Sequence, residues 1–431
     1  MAVHEALADI AGREHCLRDA PGLARYAIDG RIPSAVVRPA NADEVGRVVA
    51  LCAAEHLAVA PRGAGTSITL GNPPRRLDVV LELSRLRAVR EYVPEDMVAT
   101  VEAGATLDAL AAHFAPHRQV LTLDPPGAGA RSVGGVLATH ASGPLRFRYG
   151  TGRDLLLGAR FVQADGTLTW GGARVVKSVT GYDVPKLLVG SLGTLGVLVE
   201  ATLRLHPMPP ASRSWRLGFP SREAAGAFVA GLLDSPLQPD RAALLDAAAL
   251  RRAGLAIDPI GLLLSIGSAA EAVEHQGQAL ARLAAGHGGR SEEVPETAWT
   301  GLAATVDGAL LLRAIGEPRR LLDWVGEAQA AAARAGVESM VLAQPGHGLL
   351  QLSVRDGLDA GRVLRELVLP LRRVLEAEGG NLIVERGPIE LKTQCDVWGS
   401  ISPEILEITR RVKIEFDPGD VLNPGRFVGG L

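Results

Sequence analysis

The stretch that most limits what this chain can fold into is Asp124-Pro-Pro-Gly-Ala-Gly-Ala-Arg-Ser-Val-Gly-Gly135, continuing to Thr139-His-Ala-Ser-Gly143. Residues this small over about twenty positions cannot fill a side-chain core. They make sense where backbone must lie flat along something large. The alternative is a surface loop, but loops of this length in compact domains are usually functional. Tyr149-Gly-Thr-Gly-Arg-Asp154 follows at once.

Two further segments have the same character. The apolar Leu57–Ala60 reads as a strand that runs into Pro61-Arg-Gly-Ala-Gly-Thr-Ser67. Gly63, Ala64 and Gly65 let backbone approach a ligand, and successive N–H groups can form an anion nest. Thr66 and Ser67 add hydroxyls and Arg62 adds charge, which suits a diphosphate. Standing alone, the loop reads equally as a tight turn, and it matches neither G-x-G-x-x-G nor a P-loop. The third segment is Val176–Asp183 followed by Gly190-Ser-Leu-Gly-Thr-Leu-Gly-Val-Leu-Val-Glu200. Its glycines precede an apolar strand and leave backbone groups uncovered, able to read an adenine edge.

Around these segments the pattern is α+β. Asn41 can cap a helix, with Glu44 placed for a capping box and Val45, Val48, Val49 and Cys52 on one face. Asp78–Leu83 and Met97–Val101 read as strands, and Thr106 caps the helix after the second. Asp165-Gly166 separates two apolar runs between Ala159 and Trp170, a hairpin signal. The Pro-dense His206–Pro210 marks a domain edge. Beyond it, strands at 215–219, 261–266, 308–314, 339–342 and 348–354 alternate with helices at 222–233, 269–285, 318–335 and 359–378. The simplest packing is an antiparallel sheet covered by helices on one face. Ser402 and Pro403 start a last helix, and the chain ends in Phe416-Asp-Pro-Gly-Asp-Val-Leu-Asn-Pro-Gly-Arg426.

Composition narrows the class further. Charged residues make up 22% and the formal net charge is -3, so nothing points to nucleic acid or an anionic membrane surface. Cys16, Cys52 and Cys395 are scattered, with no CxxC, so no disulfide framework, zinc site or iron–sulfur cluster is visible. The first residues, MAVHEALADIAGREHC, lack the features of a secretory signal. No apolar stretch approaches the roughly 18–20 residues of a membrane span. A cytoplasmic protein is expected, membrane-associated only through partners.

Taken in order, Pro61–Ser67, Val133–Ala138, Gly193–Glu200 and Phe416–Arg426 resemble the FAD-binding domain of the p-cresol methylhydroxylase type, the vanillyl-alcohol oxidase superfamily. Within it the chain most resembles the E subunit of glycolate dehydrogenase (glycolate oxidase), on its length, its reduced cap and Gly171–Asp183. The resemblance implies a two-subdomain FAD-binding domain at 1–210, a smaller cap at 211–389, and a segment at 390–431 returning to the FAD domain. It implies FAD contacts from Pro61, Arg62, Gly63, Ala64, Gly65, Thr66, Ser67 and Gly71. Further contacts are implied from Pro126, Ser132, Val133, Gly134, Gly135, Thr139, Ser142, Gly143, Tyr149, Thr151 and Asp154, and from Gly193, Gly196, Val197 and Asn423. Some relatives attach flavin through a His in the first loop; Thr66 stands there, which implies noncovalent FAD.

Related dehydrogenases carry a His-rich metal site in the cap. The matching stretch, Gln344-Pro-Gly-His-Gly-Leu-Leu-Gln351, has only His347, and Val384-Glu-Arg-Gly-Pro388 has Arg386 where a His would be needed. One imidazole cannot hold a divalent ion, so no metal is expected. Oxidising a 2-hydroxy acid needs a cation for the carboxylate and a base for the hydroxyl proton. Arg146, Arg313, His347 and Arg386 are the candidates, with Arg148 beside them, although each also reads as a solvated or structural side chain. Three readings stand open: a glycolate or lactate dehydrogenase subunit, an accessory flavin subunit whose partner binds substrate, and a reductase related to the cell-wall UDP-sugar reductase. The first two imply a larger FAD subunit and an iron–sulfur subunit as partners.

Overall fold

The computed structural model describes residues 2–172, 182–357 and 359–431. Most of the Val176–Asp183 segment therefore lies outside the described residues.

Local signals set the first elements. Asn41 caps the helix Ala42–Ala54 by accepting from Glu44 N at 2.9 Å. The returning arm of the box lands one residue early, because Glu44 accepts from Ala40 N at 2.7 Å and not from the cap residue's own N–H. The buried face of that helix (Val45, Val48, Val49, Cys52) packs on a four-stranded sheet. Its spatial order is Cys16–Leu17, Ala35–Val37, Val79–Glu82, Val59–Arg62, parallel except for the first pair. A second, antiparallel sheet runs Val89–Val93, Val98–Glu102, Val197–Arg204, Leu156–Val162, Leu168–Gly172. Its last pair is the hairpin that turns at Asp165-Gly166, where Gly166 takes φ +89°. One apolar core serves both sheets, from Val45 through Phe161 and Val199 to Val421 and Leu422.

Residues 211–386 build an eight-stranded sheet, every neighbour antiparallel. Its order is Arg290–Val294, Ala211–Phe219, Ile260–Ser268, Arg241–Asp246, Ser339–Gln344, Leu349–Val354, Leu310–Ile315, Asn381–Arg386. The helices Arg222–Leu233, Ala270–Gly286 and Leu321–Arg334 cover one face around Phe228, Leu262, Trp324 and Leu350. The other face carries a smaller cluster under the short helices Ala247–Arg252 and Leu302–Thr305. The helix expected at 359–378 has a π turn at Leu364–Val368. Pro370 follows it and has no N–H to give, and the wider turn accommodates its ring.

The chain then returns to the first unit. Val59 N donates to Val421 O at 2.7 Å and Asn423 N to Val59 O at 2.8 Å, so the tail extends the edge of the four-stranded sheet. Ser402 and Pro403 start the helix Pro403–Phe416. Its buried Lys413 donates to Asp417 Oδ2 (2.5 Å), Thr194 O (2.9 Å) and Leu422 O (2.9 Å). Asp417 also accepts from Val421 N and Leu422 N, at 2.9 and 2.8 Å. Every polar atom of this pair has a partner, which offsets the cost of burying it. Lys392, buried behind the tail, likewise donates to Asp29 Oδ2 at 2.5 Å and Thr69 O at 2.7 Å. Among the described residues no helix is long and apolar enough to cross a membrane.

Removing Lys413 leaves Asp417 charged and buried. Lys413→Ala is expected to cost about 3–5 kcal/mol in denaturant unfolding. A loss below about 1 kcal/mol, the range of exposed pairs, would show that the tail is not anchored there.

Candidate functional site

The loop after Val59–Arg62 and the helix Val133–Thr139 enclose a cleft of about 800 Å3. Ser132 joins them: its Oγ accepts from Gly135 N (3.3 Å), capping the helix, and from Ala64 N (3.2 Å). A Cβ on Gly63 would stand 2.0 Å from that oxygen, so only glycine allows the approach. Gly65 takes φ +77°, and a Cβ there would meet the Arg62 guanidinium at 2.5 Å. Among the described residues nothing accepts from the N–H groups of Gly65, Thr66 and Ser67. Together they make a nest for an anion.

Pro61 through Ser67, Ser132, Gly134, Gly135, Thr139, Gly193, Gly196 and Asn423 all line this cleft. Val133 and Val197 lie behind it in the core, and Gly71 packs against Arg426 O. Pro126 and Ser142 line a second cleft instead. Gly143 sits on the Asp124 carbonyl. Thr151 and Asp154 form a capping box, and Tyr149 turns away to Asp240 (3.4 Å) and to the His206 ring (4.7 Å). Sequence reasoning missed the apolar walls Leu83 and Ala103, which carry no motif; Ala138, Leu198 and Arg426 lie in the quoted segments but were not singled out as contacts. Arg426 is buried and donates to Ile68 O at 2.5 Å and to Leu70 O, holding the far side of the loop; burial pushes its guanidinium down to about 10. Buried Asn423 donates to Leu192 O at 2.6 Å, and its Oδ1 has no partner among the described residues.

The second cleft, about 670 Å3, lies where the eight-stranded sheet faces these loops. Thr66, Ser67, Leu70 and Thr139 line both clefts. Arg313 and Arg386 reach it from the cap, and Arg131 reaches it from the glycine-rich stretch. Arg131 donates to Ser67 Oγ (2.9 Å) and Pro126 O (3.0 Å). Burial lowers the pKa of Arg131, and the Glu385 charge opposes that shift. Arg313 pairs with Glu385 at 3.1 Å, and Gln351 Nε2 donates to the other Glu385 oxygen at 2.8 Å. Arg386 donates to Gly308 O at 2.9 Å and Val306 O at 3.3 Å.

One irregularity makes this set. In the pairing of Leu310–Ile315 with Asn381–Arg386, Leu312 faces Val384 and Leu311 faces Arg386. Glu385 is the extra residue of a bulge. Consecutive residues of a regular strand point to opposite faces; the bulge turns both Glu385 and Arg386 toward the cleft.

Arg146 and His347 stand beside the second cleft without lining it. Arg146 donates to Ser142 Oγ at 3.1 Å, and burial, then the nearby Arg313 charge, lowers its pKa. His347 packs edge-on to Phe147 at 6.0 Å, and burial, then the Arg146 charge, lowers its pKa. Arg148 is tied to Asp240 at 2.8 Å. Among the described residues no three His, Cys, Asp or Glu side chains gather as a metal set.

Residues 33–172 match the FAD binding domain family. Along almost its whole length the chain is similar to the glycolate oxidase subunit GlcD of Bacillus subtilis, 25% identical over 99% of this chain and 96% of that one. It is 27% identical to the D-lactate dehydrogenase of Archaeoglobus fulgidus, over 92% of this chain and 91% of that one. Its fold is that of p-cresol methylhydroxylase: TM-score 0.81 at 17% identity, over 99% of this chain and 96% of the other. The likeness to glycolate oxidase thus holds, and the subunit that these relatives name is GlcD where the sequence suggested the E subunit. FAD is the cofactor, and the first cleft fits it. The nest suits a diphosphate.

Gly65→Leu puts a side chain on a left-handed backbone inside the nest. The purified variant is expected to retain less than about a tenth of the wild-type FAD, read from absorbance after gel filtration. Wild-type flavin content would place the diphosphate elsewhere.

Asp124, at the cap boundary, accepts from Leu145 N through both oxygens at 3.0 Å, with Arg241 at 3.9 Å. Burial raises its pKa to about 7, against the pull of Arg241. The folded state thus favours the protonated acid. The stabilisation is complete below about pH 4, the unfolded value, and is lost as pH rises through about 7. In Asp124→Asn, which keeps an acceptor for Leu145 N, this part of the fall in Tm across that window should vanish. An unchanged Tm–pH curve would contradict it.

Proposed function

We propose that this chain, which has an FAD binding domain and the fold of p-cresol methylhydroxylase, oxidises a small 2-hydroxy acid, glycolate or lactate, in the second cleft. The observation that carries the reading is the convergence of Arg131, Arg313 and Arg386 beside residues shared with the cofactor cleft. Residues 1–210 and 390–431 form the FAD unit in this reading, and 211–389 the cap.

FAD, when bound, supplies the two-electron acceptor. The protein's part is to hold the acid still and dry above it. Arg131 Nη2 and Arg386 Nη2 have no acceptor among the described residues, and a substrate carboxylate supplies one. Leu311 and Leu349 form the apolar side of the cleft and suit a short carbon chain. Thr66 offers no covalent bond to the flavin, so acid should release the cofactor. That relatives are named as a subunit of glycolate oxidase supports membership of an assembly; in this reading its partners are a larger FAD subunit and an iron–sulfur subunit, which would carry the clusters that three scattered cysteines cannot.

A second reading, an accessory flavin subunit, draws on His347, which packs beside the Arg146 cation and is poorly placed to receive a metal ion. Anaerobic mixing of the purified flavoprotein with glycolate or lactate separates the two. Bleaching of the flavin is expected, and Arg386→Ala should raise the half-saturating concentration about 10- to 100-fold. A flavin that stays oxidised alone, in an assembly that is active, would give the accessory reading.

A further inference from the structure

Resting on that reading, we infer that Glu385 is the group that takes the hydroxyl proton of the acid during oxidation. Among the described residues it is the only carboxylate or imidazole that lines the second cleft. Nothing in the sequence marked it, since the strand pattern alone would turn either Glu385 or Arg386 away from the cleft. The bulge opposite Leu311 and Leu312 puts the acceptor and a carboxylate-binding cation side by side.

The geometry suits the task. Arg313 holds one carboxylate oxygen at 3.1 Å and Gln351 the other at 2.8 Å, which fixes the plane of the group. An ionised carboxylate has about four lone-pair sites, so about two remain for a substrate hydroxyl. Arg313 balances the Glu385 charge from 3.1 Å. The hydroxyl acidifies as the C2 hydride leaves, so the acceptor needs only to be charged and in reach.

The step balances. The C2–H bond breaks with its electron pair, for which oxidised FAD, when bound, would be the two-electron acceptor. The O–H bond breaks, its proton goes to a Glu385 oxygen, and its electrons form the carbonyl of a 2-oxo acid. Arg131 and Arg386 hold the carboxylate throughout, and Arg313 offsets the charge of Glu385 before the transfer.

The test compares wild type, Glu385→Gln and Glu385→Asp as holoproteins with equal flavin content. Stopped-flow bleaching at saturating hydroxy acid should slow about 10²- to 10⁴-fold in Glu385→Gln, lose its acid limb with pH, and recover in part in Glu385→Asp. Calorimetric titration with oxalate, an unreactive dianion, should give affinities within about threefold of wild type, because the arginines bind it. Wild-type bleaching in Glu385→Gln overturns the assignment. So does a loss of oxalate affinity that matches the loss of rate, which would make Glu385 only a positioning partner of Arg313. If wild type is bleached by no hydroxy acid, alone or in its assembly, the substrate reading falls and this step with it.

Discussion

Both clefts depend on one hydroxyl. Ser132 Oγ accepts from Gly135 N in the first turn of its own helix and from Ala64 N across the cleft. The second bond lets two stretches that are far apart in sequence approach to a distance only Gly63 permits. From that pin the Pro61–Ser67 loop runs outward with its N–H groups uncovered, and the Val133–Thr139 helix runs inward to the shared core. Glycine-rich backbone is costly to order, because it loses more conformational freedom than any other. The fold offsets that cost with buried cations that donate to backbone carbonyls. Arg426 clamps Ile68 and Leu70, Lys392 clamps Thr69, and Lys413 clamps the tail.

The cap contributes a flat face and one deliberate fault in it. Leu312, Ala314, Leu350, Leu352 and Val384 point into the helix-covered core. Their alternates Leu311, Arg313, Leu349 and Gln351 line the second cleft. Regular alternation would give that face one residue from the Glu385-Arg386 pair. The bulge gives it both, and with them an anion and a cation whose positions are tied to the same two backbone steps.

How much of this could be read from sequence follows from the range of each interaction. Asn41, Thr106 and Ser402 were legible as caps because a cap is decided within four residues. The FAD-type loops were legible because glycine at such density has few other uses. Arg131 was not: it sits in the same glycine-rich stretch, but its partner Ser67 is 64 residues away, and the local pattern carries no trace of that bond. Glu385 was hidden for a similar reason, since a bulge depends on the register of a neighbouring strand. Arg313 and Arg386 were picked out by residue type and lie in the cleft, while Arg146 and His347, picked out the same way, stand next to it. Residue type narrows the candidates; only the sheet register sorts them.

The charge balance of the second cleft sets what can occupy it. Three guanidinium groups, Arg131, Arg313 and Arg386, face one carboxylate, Glu385. Arg146 adds to the positive field from behind, as its effect on His347 shows. Asp307 reaches Arg386 at 3.8 Å from the exposed rim, and backbone carbonyls of Pro126, Val306 and Gly308 take up further donors without adding charge. Like charges held together in a partly dry cleft destabilise the protein that holds them. The same excess attracts a small anion more strongly than exposed arginines would, because water screens it less. A small anion entering between Arg131 and Arg386 would relieve that repulsion. Thr66 and Ser67, whose backbone belongs to the nest, line both clefts. One loop thus borders the first cleft on one side and the arginine-lined cleft on the other, and backbone, not a flexible side chain, lies between them.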